Sequence, residues 1–360
     1  MKEIIRKTYH FTRYCTIPQI WNTFRSMTAK KTCILKYDPI SLGIYVTDRC
    51  TLQCNMCHAH SPNRPLNNPY YHEPCEDMSF SKFKQIANKF RHAISLSLVG
   101  TGEPFLNEDI FDMIKYGANL HMQVGVITNG TILDEKIDKI INSPLHSISI
   151  SLNGYNSEEF CRMTENPAHF FYDIVRNISN LVEKRKMGNK QHPEIGMSYI
   201  AYKGNYKYIP NIVNLADELG VDSLQFHNLL PIDIPGFTKD QCLYEGDLDV
   251  IEVISSVDNP KSKLRVVMPV LLQSTITERV CSGYFHSIRV DSRGFITACH
   301  AVIQASERNG NVFRDKDVWN NEHFRNMRGM FLDKSIPLLE CCKTCSSNSS
   351  FKPTILQGKT

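Results

Sequence analysis

Tyr45-Val46-Thr47-Asp48-Arg49-Cys50-Thr51-Leu52-Gln53-Cys54-Asn55-Met56-Cys57 follows a short β-type run and spaces three cysteines as C-x3-C-x2-C. Three thiolates leave one iron of a four-iron cluster without a protein ligand, and an iron left open can bind a reactant. Zinc is the competing occupant. Structural zinc sites pair cysteines and need a fourth ligand, which His58 or His60 could supply.

The rest of the chain narrows the choice. Its 360 residues can bury a large core as one large or two moderate domains, and 42% hydrophobic with 22% charged residues is an ordinary globular composition. A net charge of +4, dispersed along the chain, argues against a nucleic-acid partner. The basic residues of Met1 to Lys7 are not followed by the apolar run of a secretory signal, and no stretch approaches a membrane span, so a cytoplasmic protein without a membrane partner is expected. Thirteen cysteines in that compartment point to metal ligands or reactive thiols, not disulfides.

From Leu42 to Asn228, short β-rich runs alternate with amphipathic helical patterns, the sequence sign of βα units and a parallel sheet. Six strands are expected near Gly43–Thr47, Ala93–Val99, Gln123–Thr128, His146–Leu152, Ile195–Tyr202 and Val221–His227. Ser79 and Asn107 are placed to cap the helices after the first and second strands, and Gly220 to end the helix Ile209–Leu219. In such sheets ligands gather at the carboxyl ends of strands, where the cysteine motif falls. The proline-rich stretch Pro62–Pro74 reads as a long loop beside it. A connector, 229–280, carries a helix near Leu248–Ser256 and a short strand near Leu264–Val267. A hairpin, Ser287–Cys299, turns at Asp291–Gly294.

The spacing of Cys50, Cys54 and Cys57 after a strand resembles the signature of the radical S-adenosylmethionine (SAM) superfamily. The resemblance implies a fold of class α/β, a partial (βα)6 barrel over residues 41–228 that follows an N-terminal extension, 1–40. It also implies a [4Fe-4S] cluster whose open iron chelates SAM and cleaves it reductively to a 5'-deoxyadenosyl radical, fed by a flavodoxin- or ferredoxin-type reductant.

Cys281, Cys299, Cys342 and Cys345 can supply four further thiolates, and Asp317-Val318-Trp319-Asn320 with Phe324, Met327 and Arg328 lies between the two pairs. This pattern resembles the twitch domain, the short relative of the SPASM domain, and implies one auxiliary [4Fe-4S] cluster held within residues 281–360. Cys341 competes with Cys342 on spacing, and a four-thiolate zinc ribbon is the plainer alternative. A fully ligated cluster is suited to electron transfer or to folding support.

Other residues resemble the superfamily's SAM contacts. Gly100-Thr101-Gly102-Glu103-Pro104 ends the second strand where the Gly-Gly-Glu motif belongs; Gly102 permits close backbone approach and Glu103 offers an acceptor for the SAM ammonium. Ser151 and Asn153, in Ser149-Ile150-Ser151-Leu152-Asn153-Gly154, are placed to bond the ribose or carboxylate, and Arg162 to fork the carboxylate. Met56 stands where an aromatic usually precedes the third cysteine, beside adenine. Asn129-Gly130 reads as a structural turn, and His227 ends the sixth strand.

The cysteine spacing is close to that of twitch-type aminocyclitol dehydrogenases, whereas the GTP cyclases carry three auxiliary cysteines and a different tail. The expectation is therefore hydrogen abstraction from a small polar substrate, a sugar or aminocyclitol, oxidised with the auxiliary cluster as acceptor. Epimerisation of a sugar or peptide is the alternative. It needs a thiol to return hydrogen, and of Cys15, Cys33, Cys75, Cys161, Cys242 and Cys341, Cys242 is best placed. The first 40 residues are too few for a peptide-recognition module, which leans towards the small substrate without excluding a peptide. A zinc-binding interaction protein or a passive iron-sulfur carrier would leave the Gly-Glu and Ser-Asn segments without a purpose.

Overall fold

The computed structural model describes residues 14–64, 75–230, 234–274, 278–299, 305–346 and 353–358. Most of the proline-rich loop, 65–74, lies outside them. Six parallel strands appear where the alternating pattern placed them: β1 (Ser41–Tyr45), β2 (Ser95–Val99), β3 (Gln123–Thr128), β4 (Ser147–Ser151), β5 (Glu194–Ala201) and β6 (Ser223–Asn228). The sheet is wider than the six units expected. β7 (Arg265–Val267) adds in parallel to β6 and β8 (Ser287–Val290) in parallel to β1, so eight adjacent strands run the same way. The antiparallel strands β9 (Phe295–Thr297) and β10 (Ser306–Asn311) extend one edge, and β11 (Ile355–Gln357) the other.

Alternation explains the two faces of this sheet. Leu42, Ile44, Leu96, Leu98, Val124, Val126, Ile148, Ile150, Ile195 and Leu224 are buried against the helices, which contribute Phe83, Ile86, Ile114, Ile174, Ile178 and Ile212 to one continuous core. Many of the intervening residues are small or polar. One registered row reads Arg289, Gly43, Ser97, Gly125 and Ser147 across β8 to β4. Closed barrels of this kind fill that face with bulky branched residues. Serine and glycine leave room there and present hydroxyls.

Local signals set the helix ends. Ser79 caps Phe80–Lys89, accepting from Lys82 N, and Gly220 ends Ile209–Leu219 in the left-handed region at φ +69°. Asn107 caps the turn that leads into the following helix, its Oδ1 accepting from Asp109 N at 2.9 Å, and does more. Asp109 precedes Ile110–Asn119, while the Asn107 amide donates to Val46 O and Met78 O at 2.7 and 2.9 Å and binds β1 to the segment before Phe80. The helix between the later cysteines, Glu322–Leu332, is capped by Asn321. Its Arg328 is fully buried, donates to the carbonyls of Tyr284, Cys33 and Trp319, and stacks on Trp319 at 4.4 Å. That residue anchors the second cysteine region to the chain before β1.

Candidate active site

The first cysteine loop leaves β1 and is gripped from three sides. From β2, Glu103 N donates to Arg49 O at 2.7 Å and Gly102 N to Thr47 O at 3.3 Å. A Cβ on Gly102 would lie 2.1 Å from Arg49 O, so glycine is required because the β2 turn rests on the backbone of the cysteine loop. From β3, Asn129 Nδ2 donates to Thr51 Oγ1 at 2.9 Å and to Cys50 Sγ at 3.6 Å. From the helix Ser157–Thr164, the carbonyls of Arg162 and Met163 accept from Asn55 Nδ2 and Asn55 N, each at 2.9 Å.

Glu103 is 1% exposed and faces the protein: Oε1 accepts from Thr128 Oγ1 (2.7 Å) and Phe105 N (3.1 Å), and Oε2 from Asn129 N (2.7 Å). Burial raises its pKa. Its visible work is to hold the Thr128-Asn129-Gly130 turn that in turn touches Cys50, where the sequence suggested a ligand for the SAM ammonium. Ser151 Oγ pairs with Ser198 Oγ at 3.1 Å on the neighbouring strand. Asn153 is 8% exposed, and its buried Oδ1 has no partner, which leaves an acceptor at the end of β4 for a ligand hydroxyl. Arg162 points a half-exposed guanidinium to 4.0 Å from Glu159.

Met56 and Cys242 turn away from solvent together. They join Met163, Tyr202, Leu229, Phe237 and Leu272 in a second apolar cluster against which Cys54 packs. Cys242 has no exposed surface, and its thiol donates to Leu229 O at 3.3 Å. The sequence offered this thiol as the one best placed to reach the barrel mouth; in the structure it is enclosed in this apolar cluster.

The donor sets fit iron-sulfur clusters. Burial, then the charge of Cys57, pushes the Cys50 thiol up to about 11, and burial with the charge of Cys57 and Cys50 raises Cys54. Thiols crowded in this way ionise readily only around bound metal. Among the described residues no three Cys, His, Asp or Glu side chains converge as ligands of one ion would. Ligands of a cluster, each on a separate iron, need not converge. The later cysteines also gather: Cys281 feels the charge of Cys345 and Cys299, and Cys342 that of Cys341, Cys299 and Cys345. Cys341 interacts directly with Cys342, so both stand at this site.

Two residues that the sequence reading passed over connect the groups. Asp48, 4% exposed, accepts from Thr101 Oγ1 at 2.9 Å and from Ser292 Oγ at 3.2 Å, and lies 3.6 Å from Arg293 Nη2 in the β8–β9 turn. Tyr45, at the end of β1, has its pKa raised by burial and lies within electrostatic reach of Arg289 and Cys299. Asp48 stood inside the quoted motif, but nothing in its spacing shows a partner 244 residues away.

Residues 44–188 match the radical SAM superfamily and residues 281–346 an iron-sulfur cluster-binding domain. The chain carries a radical SAM domain followed by a SPASM-type domain. Its domains bring a SAM-binding [4Fe-4S] cluster and an auxiliary cluster. Among curated relatives, the tungsten-containing aldehyde ferredoxin oxidoreductase cofactor-modifying protein of Pyrococcus furiosus is 25% identical over 85% of this chain and 86% of its own length. A probable GTP 3',8-cyclase of Methanocaldococcus jannaschii is 25% identical over 53% of this chain and 59% of its own. The GTP cyclases set aside on their cysteine pattern are therefore similar to this radical SAM chain over about half its length. The Streptococcus suis SuiB structure bound to precursor peptide SuiA shares the fold, with TM-score 0.57 and 16% identity over 81% of this chain and 67% of that one. No helix among the described residues is long and apolar enough to cross a membrane.

Proposed function

We propose that Cys50, Cys54 and Cys57 hold the SAM cluster, that Cys281, Cys299, Cys342 and Cys345 hold the auxiliary one, and that the enzyme oxidises a small polar substrate between them. When both are bound, the chemistry supplied is reductive cleavage of SAM, transfer of a substrate hydrogen atom to the 5'-deoxyadenosyl radical, and loss of one electron to the auxiliary cluster and one proton from the substrate radical.

The observation that supports this reading is Tyr45, which shares one face of β1 with Gly43, has its pKa pushed up by burial, and lies within electrostatic reach of Arg289 and Cys299. The row Arg289, Gly43, Ser97, Gly125 and Ser147 across β8 to β4 is roomy and polar, which supports a hydroxyl-rich substrate. Asn153 Oδ1 and Ser151 Oγ are the acceptors offered to SAM hydroxyls, and Gly102 and Glu103 keep the cysteine loop in register beneath them. The enclosed thiol of Cys242 weighs against epimerisation through that residue.

A second reading is modification of another enzyme's cofactor or cyclisation of a nucleotide, favoured by the match to the Pyrococcus furiosus protein over most of both chains and by the GTP cyclases.

Anaerobic reconstitution tests the cluster assignment. About eight irons per chain and 5'-deoxyadenosine from SAM are expected, with no 5'-deoxyadenosine after Cys54→Ala; zinc in both sites would overturn it. Candidate sugars, aminocyclitols, nucleotides and peptides incubated in heavy water then separate the outcomes. A product two hydrogens lighter is expected. Solvent deuterium fixed on an otherwise unchanged carbon skeleton means epimerisation, and a new ring at unchanged mass means cyclisation; either result replaces the dehydrogenase reading.

A further inference from the structure

The helix Ile17–Thr28 is inside out. Its protein-facing side is polar: Gln19, Asn22, Thr23 and Ser26 are all buried. Gln19 Nε2 donates to Ala93 O and Leu120 O at 2.9 and 3.0 Å, and Asn22 Nδ2 to Asp38 O at 3.1 Å. Its outward side is apolar: Ile17 is 83% exposed, Trp21 55%, Phe24 54% and Met27 77%. Residues 17, 21 and 24 share one helical stripe. A run of large apolar side chains turned outward while amides are buried is the reverse of an ordinary surface helix and marks a contact surface.

Charge identifies the partner. Residues 1–31 carry seven lysines and arginines, Arg25, Lys30 and Lys31 among them, against the single acid Glu3. The whole chain has 41 basic and 37 acidic residues, so 34 and 36 lie elsewhere and the net positive charge is concentrated in this first part of the sequence. The Arg25 guanidinium lies over the Trp21 ring at 5.4 Å, and Trp21 stacks on Phe24 at 5.7 Å. An outward ridge of Trp, Phe, Ile and Met with the Arg25 guanidinium against it and Lys30 just after it matches the boundary of an anionic bilayer, where rings sit at headgroup depth and cations reach the phosphates. A symmetric contact with a second copy would set two strongly positive segments face to face.

Location agrees. Gln19 bonds to the residues just before β2 and β3, whereas the cysteine loop follows the carboxyl end of β1, so a surface held here leaves the opposite end of the barrel open.

We propose that the outward stripe of helix Ile17–Thr28 and the basic residues around it seat this protein on an anionic lipid surface, without crossing it. The chain has two tryptophans, and Trp319 is buried, so a change in tryptophan emission on adding lipid reports on Trp21. The full-length protein is expected to float with phosphatidylcholine vesicles containing phosphatidylglycerol, with a blue-shifted emission, and to be released by high salt. Trp21→Ser with Phe24→Ser is expected to lower the bound fraction roughly tenfold while SAM cleavage in solution is unchanged. Equal flotation with pure phosphatidylcholine, or no flotation at all, would overturn the proposal. So would a concentration-dependent dimer that the double variant abolishes without any vesicle binding, since that assigns the stripe to a second copy.

Discussion

Ser292 Oγ donates to Asp48 Oδ2 at 3.2 Å, which joins the tip of the hairpin before Cys299 to the residue two positions before Cys50. The same carboxylate receives Thr101 Oγ1 from the β2 turn and lies near Arg293. One buried acid therefore ties together the SAM-motif turn, the first cysteine loop and the second cysteine region. Asp48→Ala removes an acceptor from Thr101 Oγ1, Ser292 Oγ and Glu76 N and leaves Arg293 without its counter-charge. A loss of about 2–3 kcal/mol in chemical denaturation is expected, with Asp48→Asn milder because one carbonyl oxygen remains. An unchanged midpoint for Asp48→Ala would show that the network contributes nothing to docking.

Gly102→Ala places a methyl against Arg49 O, at 2.1 Å before any movement. The neighbour is backbone and cannot rotate aside, so the cysteine loop must shift. A stability cost of about 1–3 kcal/mol is expected, together with a loss of SAM-induced change in the cluster's electron paramagnetic resonance signal. Normal SAM response in this variant would mean that the loop tolerates displacement.

Asp291 has its pKa raised by burial to about 6, because only its Oδ1 is bonded, to Arg293 N and Phe295 N, while Oδ2 is enclosed without a partner. A carboxyl whose folded pKa exceeds its unfolded value of about 3.9 favours the folded state while protonated. That stability is fully present below the unfolded pKa and is lost as pH rises through about 6. Asp291→Asn, which stays neutral, should flatten the decline in denaturation midpoint between about pH 4 and pH 6. Parallel curves for the two proteins would exclude this residue as its source.

Cys242→Ala removes a buried thiol that packs with Met56 and donates to Leu229 O. The expected result is a small destabilisation, about 1 kcal/mol, with 5'-deoxyadenosine formation and the product distribution intact. Product that loses its stereochemistry or its solvent-derived hydrogen in this variant would restore the thiol as a hydrogen donor.

The parallel strands were legible because each carries a Leu, Ile or Val face at period two, and that pattern follows from burial against helices whatever the rest of the chain does. Capping by Ser79 and termination at Gly220 were equally local. Asn107 was legible only in part: its Oδ1 does accept from Asp109 N. Its sequence neighbourhood suits a cap, but its amide serves two carbonyls from distant segments, Val46 and Met78.

The sequence alone determined the pattern that marks the two domains: three cysteines within eight residues after a strand and a Gly-Glu turn between strand and helix, set by local spacing, with four more cysteines spread over residues 281–345. Tertiary structure decided what each polar residue does. It turned Glu103 inward to the Thr128-Asn129 turn, enclosed Cys242, made Asp48 a junction with Ser292, and buried the amides of the first described helix while exposing Trp21 and Phe24. Those outcomes depend on which surfaces meet when the β8 hairpin pairs with β1, and a hydrogen bond or a burial between segments hundreds of residues apart leaves no periodic trace along the chain.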